Sequence, residues 1–242
     1  LVALGFFLKV VLADTFGHQI DVDGWFSNPN AYGALGHMTG VLFFSFQIYG
    51  DFAGYSLIAI GLGRIMGLDF GANFIRPYFS ATFSEFWRRW HISLSSWLRD
   101  YLFIPLGGSF HGSRKTARNL VVTMFLGGLW HGAAWNFVIW GLLHGGYQVL
   151  WHAGARFATT IPLLQDARLV RVLRLPLILA VFFLTAMAWV FFRAETLADA
   201  TTILTRILTF DQSIAQITTY RIGLVKGFAL IAGVLAVDLV CE

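Results

Sequence analysis

Long apolar runs alternate with short polar breaks along this chain. Ala31 to Met66 is apolar with few interruptions other than glycines and Asp51. A bilayer span needs about 20 apolar residues, so this run predicts one long helix, or two segments broken near Gly50 or Gly54. Asn119 to Leu150 is apolar again and too long for one span, which predicts two segments meeting near Gly127 to Ala133. Leu175–Phe192 reads as a clear span with a basic approach in Arg168, Arg171 and Arg174, and Ile222 to Val240 as a final one with Lys226 near its start. Leu1 to Ala13, apolar except for Lys9, is too short to span alone and reads as the tail of a span.

The polar breaks predict connections. Asp14 to Asn30 carries no helical period and reads as a loop, and Leu68 to Ser80, with Asn73, Arg76 and Pro77, reads as another. From Thr82 the pattern changes: Phe86, Trp90, Leu94, Trp97, Leu98 and Tyr101 recur near helical spacing, while Arg88, Arg89, Ser95 and Arg99 fill other faces. That predicts an amphipathic helix lying at the membrane interface, ended by Pro105, Gly107 and Gly108 and followed by a basic loop, His111 to Arg118. Glu195 to Leu208 is also amphipathic. Together these elements predict an all-α fold, a polytopic transmembrane helical bundle with interfacial and broken or re-entrant helices. Irregular backbone at membrane depth is tolerated only where protein or a cavity satisfies it.

Composition sharpens the picture. The chain is 57% hydrophobic and 17% aromatic but only 12% charged, against roughly 25% charged in a soluble domain. The net charge is +4, with basic residues clustered between Arg64 and Arg118, a distribution that faces the cytoplasm in membrane proteins. Phe and Trp lace that basic stretch, which argues against a nucleic-acid partner. One cysteine, Cys241, excludes an intrachain disulfide framework and a cysteine zinc cluster. No histidine pair has the i, i+4 spacing of a helix-borne metal site, and P-loop, G-x-S-x-G, H-E-x-x-H and EF-hand motifs are absent from the sequence. The sequence opens at Leu1 inside an apolar segment, so residues 1–242 are expected to form one integral-membrane domain, the C-terminal portion of a longer chain whose N-terminal spans are missing here.

The candidate chemistry centres on "GGLWHGAAWN", Gly127 to Asn136. The last charge before His131 is Arg118, so 131 − 118 gives 13 residues of travel, roughly 20 Å in a helix. Half the hydrocarbon core is about 15 Å, which puts His131 near the middle of the membrane if the segment crosses it. An ionisable group there is a functional candidate by default; the plainer alternative is a neutral imidazole bridging helices. Gly127, Gly128 and Gly132 add room for close backbone approach or a helix break. Burial favours the neutral imidazole, which can take a proton from an attacking hydroxyl.

His91, in "FWRRWHISLSSWLRDY", is the second candidate, with Trp87 and Trp90 as walls of a pocket; the alternative is an interfacial histidine. Trp87, Trp130 and Asn136 are candidates for substrate contact. His144 and His152 fit helix packing or the interface, and His18, His37 and His111 sit in or beside loops and earn no role. Asp51 forms a polar island with Gln47, Tyr49 and Tyr55; it either pairs with an arginine inside the bundle, the plainer reading, or touches substrate. Arg88, Arg89, Arg99, Arg114, Lys115 and Arg118 are able to grip donor phosphates, or else mark the cytoplasmic side and meet lipid headgroups.

Four stretches, "FQIYGDFAGYS", "NFIRPYFSATFSEFWRRWHISLSSWLRDYLFIPLGG", "GGLWHGAAWNFVIWGLLHG" and "WVFFRAETLADA", occur in that order between Phe46 and Ala200. They resemble the membrane-bound O-acyltransferase (MBOAT) family, above all its bacterial alginate O-acetyltransferase branch. The resemblance implies acyl transfer from a thioester donor to a hydroxyl acceptor, with the W-H-G histidine falling on His131 and the R-W-H-x-S histidine on His91. It implies acetyl-CoA, or an acyl group derived from it, as donor, with no tightly bound cofactor and no metal. It also implies a multi-pass protein of the bacterial inner membrane. There the lipid bilayer surrounds it, and periplasmic acetyltransferase partners carry the acetyl group to a polysaccharide acceptor. The "IPLGG" block fits the alginate-type branch better than the branch that transfers D-alanine to teichoic acid. A rival of another class is a proton-coupled transporter with Asp51 and His131 on its path. Inverted internal repeats would favour it, and none is seen in the sequence. A scaffold subunit with packing histidines is the third reading.

Overall fold

Apolar segments of this length satisfy their backbone polar groups internally, and the structure, a computed structural model, meets that demand with helices. It describes residues 1–19, 22–211 and 221–240; Asp21 and Cys241 lie outside the described residues. Among these residues there is no strand. The α-helices are α1 (Val2–Phe6), α2 (Val22–Ser27), α3 (Ala34–Ile65), α4 (Phe83–Arg89), α5 (Ile92–Leu98), α6 (Ser113–His131), α7 (Trp135–Ala158), α8 (Ala167–Arg193), α9 (Leu197–Thr209) and α10 (Arg221–Val240). Two of them, α3 and α8, are long and apolar enough to cross a membrane. Two compact units form: residues 1–73 with 193–242, and residues 74–192.

The first unit is built on α3, which runs without a break through Gly50 and Gly54 and so settles the alternative left by the sequence. Helix α1 and the wider helical turns that continue it to Ala13 lie along α3, at glycine contacts where a Cβ on Gly5 would sit 2.6 Å from the Gly54 carbonyl oxygen. The expected loop from Asp14 to Asn30 is instead largely helical, with turns at Thr15–Gln19, α2, and a short 3-10 turn at Pro29–Ala31. The reason is burial. Trp25 and Phe26 pack on α3, stacking on Phe43 at 5.8 Å and meeting Phe44 edge-on at 5.3 Å, and this contact overrides the polar local signal. His37 donates from Nε2 to the Pro29 carbonyl at 3.0 Å and ties that turn to α3.

The second unit holds α4 to α7 and most of α8. The expected single amphipathic helix from Thr82 is divided: α4 ends at Arg89, the chain bends at Trp90–His91, and α5 continues from Ile92 into wider turns at Arg99–Phe103. No Gly or Pro marks this bend. The buried ring of Trp90 causes it, lodged among Phe74, Tyr78, Phe86 and Trp189 at 5.0 to 5.8 Å. Part of the expected basic loop, from Ser113 on, belongs to α6.

Helices α6 and α7 form a hairpin closed by Gly132, Ala133 and Ala134, the break expected between Gly127 and Ala133. Their approach is unusually close. A Cβ on Gly128 would overlap the Phe137 carbonyl, and one on Gly141 the Met124 carbonyl. In lipid, where apolar burial gives little net drive, small residues of this kind let helices associate through backbone contact. Gly146 on the same helix has nothing within 4 Å of such a Cβ. Gly141→Ala is therefore expected to destabilise the protein by about 2 kcal/mol through overpacking against backbone, and Gly146→Ala to raise stability by up to about 1 kcal/mol from helix propensity. Unfolding in detergent checks this; equal shifts for the two variants would contradict the close crossing.

Candidate functional site

His131 is the last residue of α6 and stands at the tip of the hairpin rather than midway along a continuing helix. Its neighbour Gly132 is extended, and a Cβ there would press to 2.8 Å from the Phe137 ring. Glycine at this position thus allows α6 to end and Phe137 of α7 to close over the imidazole. Four rings surround it: Trp130 at 4.9 Å, Trp140 at 5.2 Å, Phe192 at 5.0 Å and Phe137 at 6.1 Å. The first three stand edge-to-face, near 80° to the imidazole. Among the described residues, no hydrogen bond holds the His131 ring. Its orientation comes from aromatic contact, which favours such edge-to-face geometry.

His91, forty positions earlier, comes to the same place. Its ring meets Trp130 at 6.3 Å, on the indole that also touches His131. It also stacks on Phe74 at 6.4 Å, 20° from parallel. Burial pushes the His91 imidazole down to about 4, and charge on neighbouring His131 adds to that; at neutral pH it is therefore an uncharged donor or acceptor rather than a fixed cation. The backbone of His91 is left-handed, φ 45° and ψ 57°. Only glycine adopts that region freely, and non-glycine residues held there cluster at functional sites. Capping fixes the approach to this bend. Thr82 Oγ1 accepts from the Glu85 amide at 2.9 Å, and Glu85 accepts from the Ala81 amide at 2.7 Å and from Arg89 at 2.7 Å.

The other expected residues divide. Trp87 is buried against Trp140 at 5.8 Å, Trp130 is exposed beside both histidines, and Asn136 is buried in the first turn of α7. Arg88 is exposed and lines a cleft of about 400 Å³ together with Trp87, Arg99, Ser95, Ser96 and Gln148. His152 lies on this cleft too, with Nε2 3.5 Å from the Ser84 hydroxyl. Arg89 is committed to Glu85 and the Arg76 carbonyl. Asp51, in the first unit, pairs with Lys9 at 2.5 Å rather than with an arginine, and Tyr49 donates to Asp238 at 2.5 Å. Trp140, Phe137 and Phe192, which complete the enclosure of His131, were not singled out from sequence. Trp140 and Phe137 lie within the quoted "GGLWHGAAWNFVIWGLLHG" block and Phe192 within "WVFFRAETLADA", so position inside those blocks was the available signal.

Helices of membrane length and an imidazole enclosed by aromatic rings at a hairpin tip define a helical protein of membrane type with a shielded histidine centre. The chain belongs to the membrane-bound O-acyltransferase family, whose profile matches residues 7–192. It is 42% identical over 235 residues to "Probable alginate O-acetylase AlgI" of Azotobacter vinelandii, covering 94% of this chain and 44% of that protein. It is 38% identical over 206 residues to a peptidoglycan O-acetyltransferase of Helicobacter pylori, covering 84% and 37%. A teichoic acid D-alanyltransferase of Streptococcus thermophilus is 34% identical over 177 residues, 66% of this chain and 41% of that protein. The chain thus spans less than half the length of these relatives.

The left-handed backbone gives a direct test. His91→Gly is expected to be more stable than His91→Ala by about 1 kcal/mol, since alanine keeps the Cβ strain and glycine does not. Both should lose the function of the imidazole equally. Comparison of their unfolding midpoints checks it, and a less stable glycine variant would contradict the strain at this residue.

Proposed function

We propose that the protein of which this chain is part is a membrane O-acetyltransferase that moves an acetyl group from a thioester donor, acetyl-CoA, toward hydroxyls of an exopolysaccharide such as alginate or of a cell-wall glycan. The observation that carries this reading is the convergence of His131 and His91 on the Trp130 ring. The acceptor oxygen gives its proton to the neutral His131 imidazole and attacks the thioester carbonyl carbon. The C–S bond breaks, the sulfur leaves, and the imidazolium returns its proton to the thiolate. His91, uncharged, orients the acceptor or donates to the developing oxyanion. The surrounding rings keep water from the thioester and limit wasteful hydrolysis.

The cleft at Arg88 supports a seat for the polar part of the donor, because a guanidinium suits phosphate oxygens, while Arg99 on the same cleft is paired with Asp100. Trp87 forms a wall of that cleft and also touches Trp140, which touches His131, so two ring contacts lead from the cleft to the imidazole. Acetyl transfer is favoured over D-alanyl transfer by the higher identity to the alginate and peptidoglycan acetylating relatives. The site of action is the bacterial inner membrane, with a periplasmic acetyltransferase partner passing the acetyl group on to the polysaccharide.

Membrane vesicles carrying the full-length parent and supplied with radiolabelled acetyl-CoA test this. The expected result is label released by mild alkali, as an ester, from a glycan or from the periplasmic partner, dependent on the parent protein. Transfer only from a D-alanyl carrier thioester would place the protein in the other branch. Proton flux without acyl transfer would overturn the enzymatic reading.

A further inference from the structure

A further histidine, His144 of α7, packs against the Trp140 ring that walls His131 and has no part in the chemistry above. It is fully buried, with none of its surface exposed. Its ring lies parallel to Phe86 of α4 at 6.0 Å and edge-to-face with Trp87 at 5.1 Å and Trp140 at 4.9 Å; Tyr147 and Trp189 complete the surround at 5.7 and 6.3 Å. Among the described residues, neither ring nitrogen has a hydrogen-bond partner, nor do the indole nitrogens of Trp87, Trp140 and Trp189.

Packing alone does not call for an imidazole here. A phenyl ring would fill the same slot without the desolvation penalty of two unpaired nitrogens. A polar group that breaks the local packing rule inside an aromatic core is expected where function needs it. Its position indicates what that function is. His144 and Trp140 are four apart on α7 and share one face. Trp140 is the shared wall, touching both His144 at 4.9 Å and His131 at 5.2 Å, at 87° to the latter. With no hydrogen bond to hold it among the described residues, the His131 ring takes its orientation from that wall. In the edge-to-face pairs of His144 with Trp87 and Trp140, an N–H of one ring can address the π face of the other, and a phenyl ring loses the imidazole's share of that interaction.

We propose that His144 is a positioning residue for acyl transfer, setting the Trp140 indole that in turn orients the His131 imidazole. This rests on the acyltransferase reading given above. It concerns a residue that never touches substrate.

The test compares His144→Phe and His144→Gln in the full-length parent, with stability and steady-state acetyl transfer measured on each. The phenyl variant is expected to be at least as stable as the wild type, yet to lose about tenfold in kcat while the donor KM stays within about threefold, as for an interaction felt mainly in the transition state. The glutamine variant, which packs less well but keeps a polar nitrogen, should be less stable and more active than the phenyl one. A purely structural residue would rank both properties the same way. Trp140→Phe should reproduce the kcat loss, and the double variant with His144→Phe should lose little more, because the two act through one path. Wild-type kcat in His144→Phe, failure of that variant to fold, or independent losses in the double variant would each overturn the proposal. If the wild type itself transfers no acetyl group, the enzymatic reading fails and not the positioning role alone.

Discussion

The close crossing of α6 and α7 is the contact on which the site depends. Gly128 and Gly141 let the two backbones meet where any side chain would strike a carbonyl of the other helix. That approach fixes the three-residue turn at Gly132 to Ala134, and with it the end of α6 at His131. It also sets the register that brings Trp140 of α7 against the imidazole. Membrane-type helices gain little from mutual apolar burial, so a packing contact of this precision is what holds a hairpin in one geometry.

Aromatic rings then do the work that a carboxylate does in many histidine sites. A carboxylate partner would orient the imidazole and also favour its charged form. Rings at 4.9 to 5.2 Å orient it by shape and quadrupole and bring no charge of their own against it. Under the proposed chemistry that suits a base facing a water-sensitive thioester. The exposed Trp130 and the half-buried imidazole leave one side of the enclosure open to an acceptor. The strained backbone at His91 serves the same arrangement, turning its side chain back toward Trp130.

Much of this was legible in the chain. The run from Ala31 to Met66, the span before Arg193 and the break after His131 follow from apolar length and glycine placement, and the structure has each. The two histidines were legible as candidates because ionisable groups in apolar, tryptophan-rich surroundings are costly. What was not legible depended on tertiary contact. The bend at His91 carries no breaker residue; the Trp90 ring, buried among Phe74, Phe86 and Trp189, imposes it. The helical turns between Asp14 and Asn30 are held by Trp25 and Phe26 on α3, a contact invisible to a local window. Asp51 was read as pairing with an arginine or touching substrate; its ion pair is with Lys9, too far along the chain for spacing to reveal.

The most direct measurement is acetyl transfer by the whole protein carrying His131→Ala, at membrane expression matched to the wild type. Loss of general base catalysis is worth about 10²- to 10⁴-fold, so the account predicts a fall of at least a hundredfold in turnover with the protein still folded. Near-normal turnover by that variant would contradict it, and would reduce the ring-enclosed imidazole at the hairpin tip to a packing element.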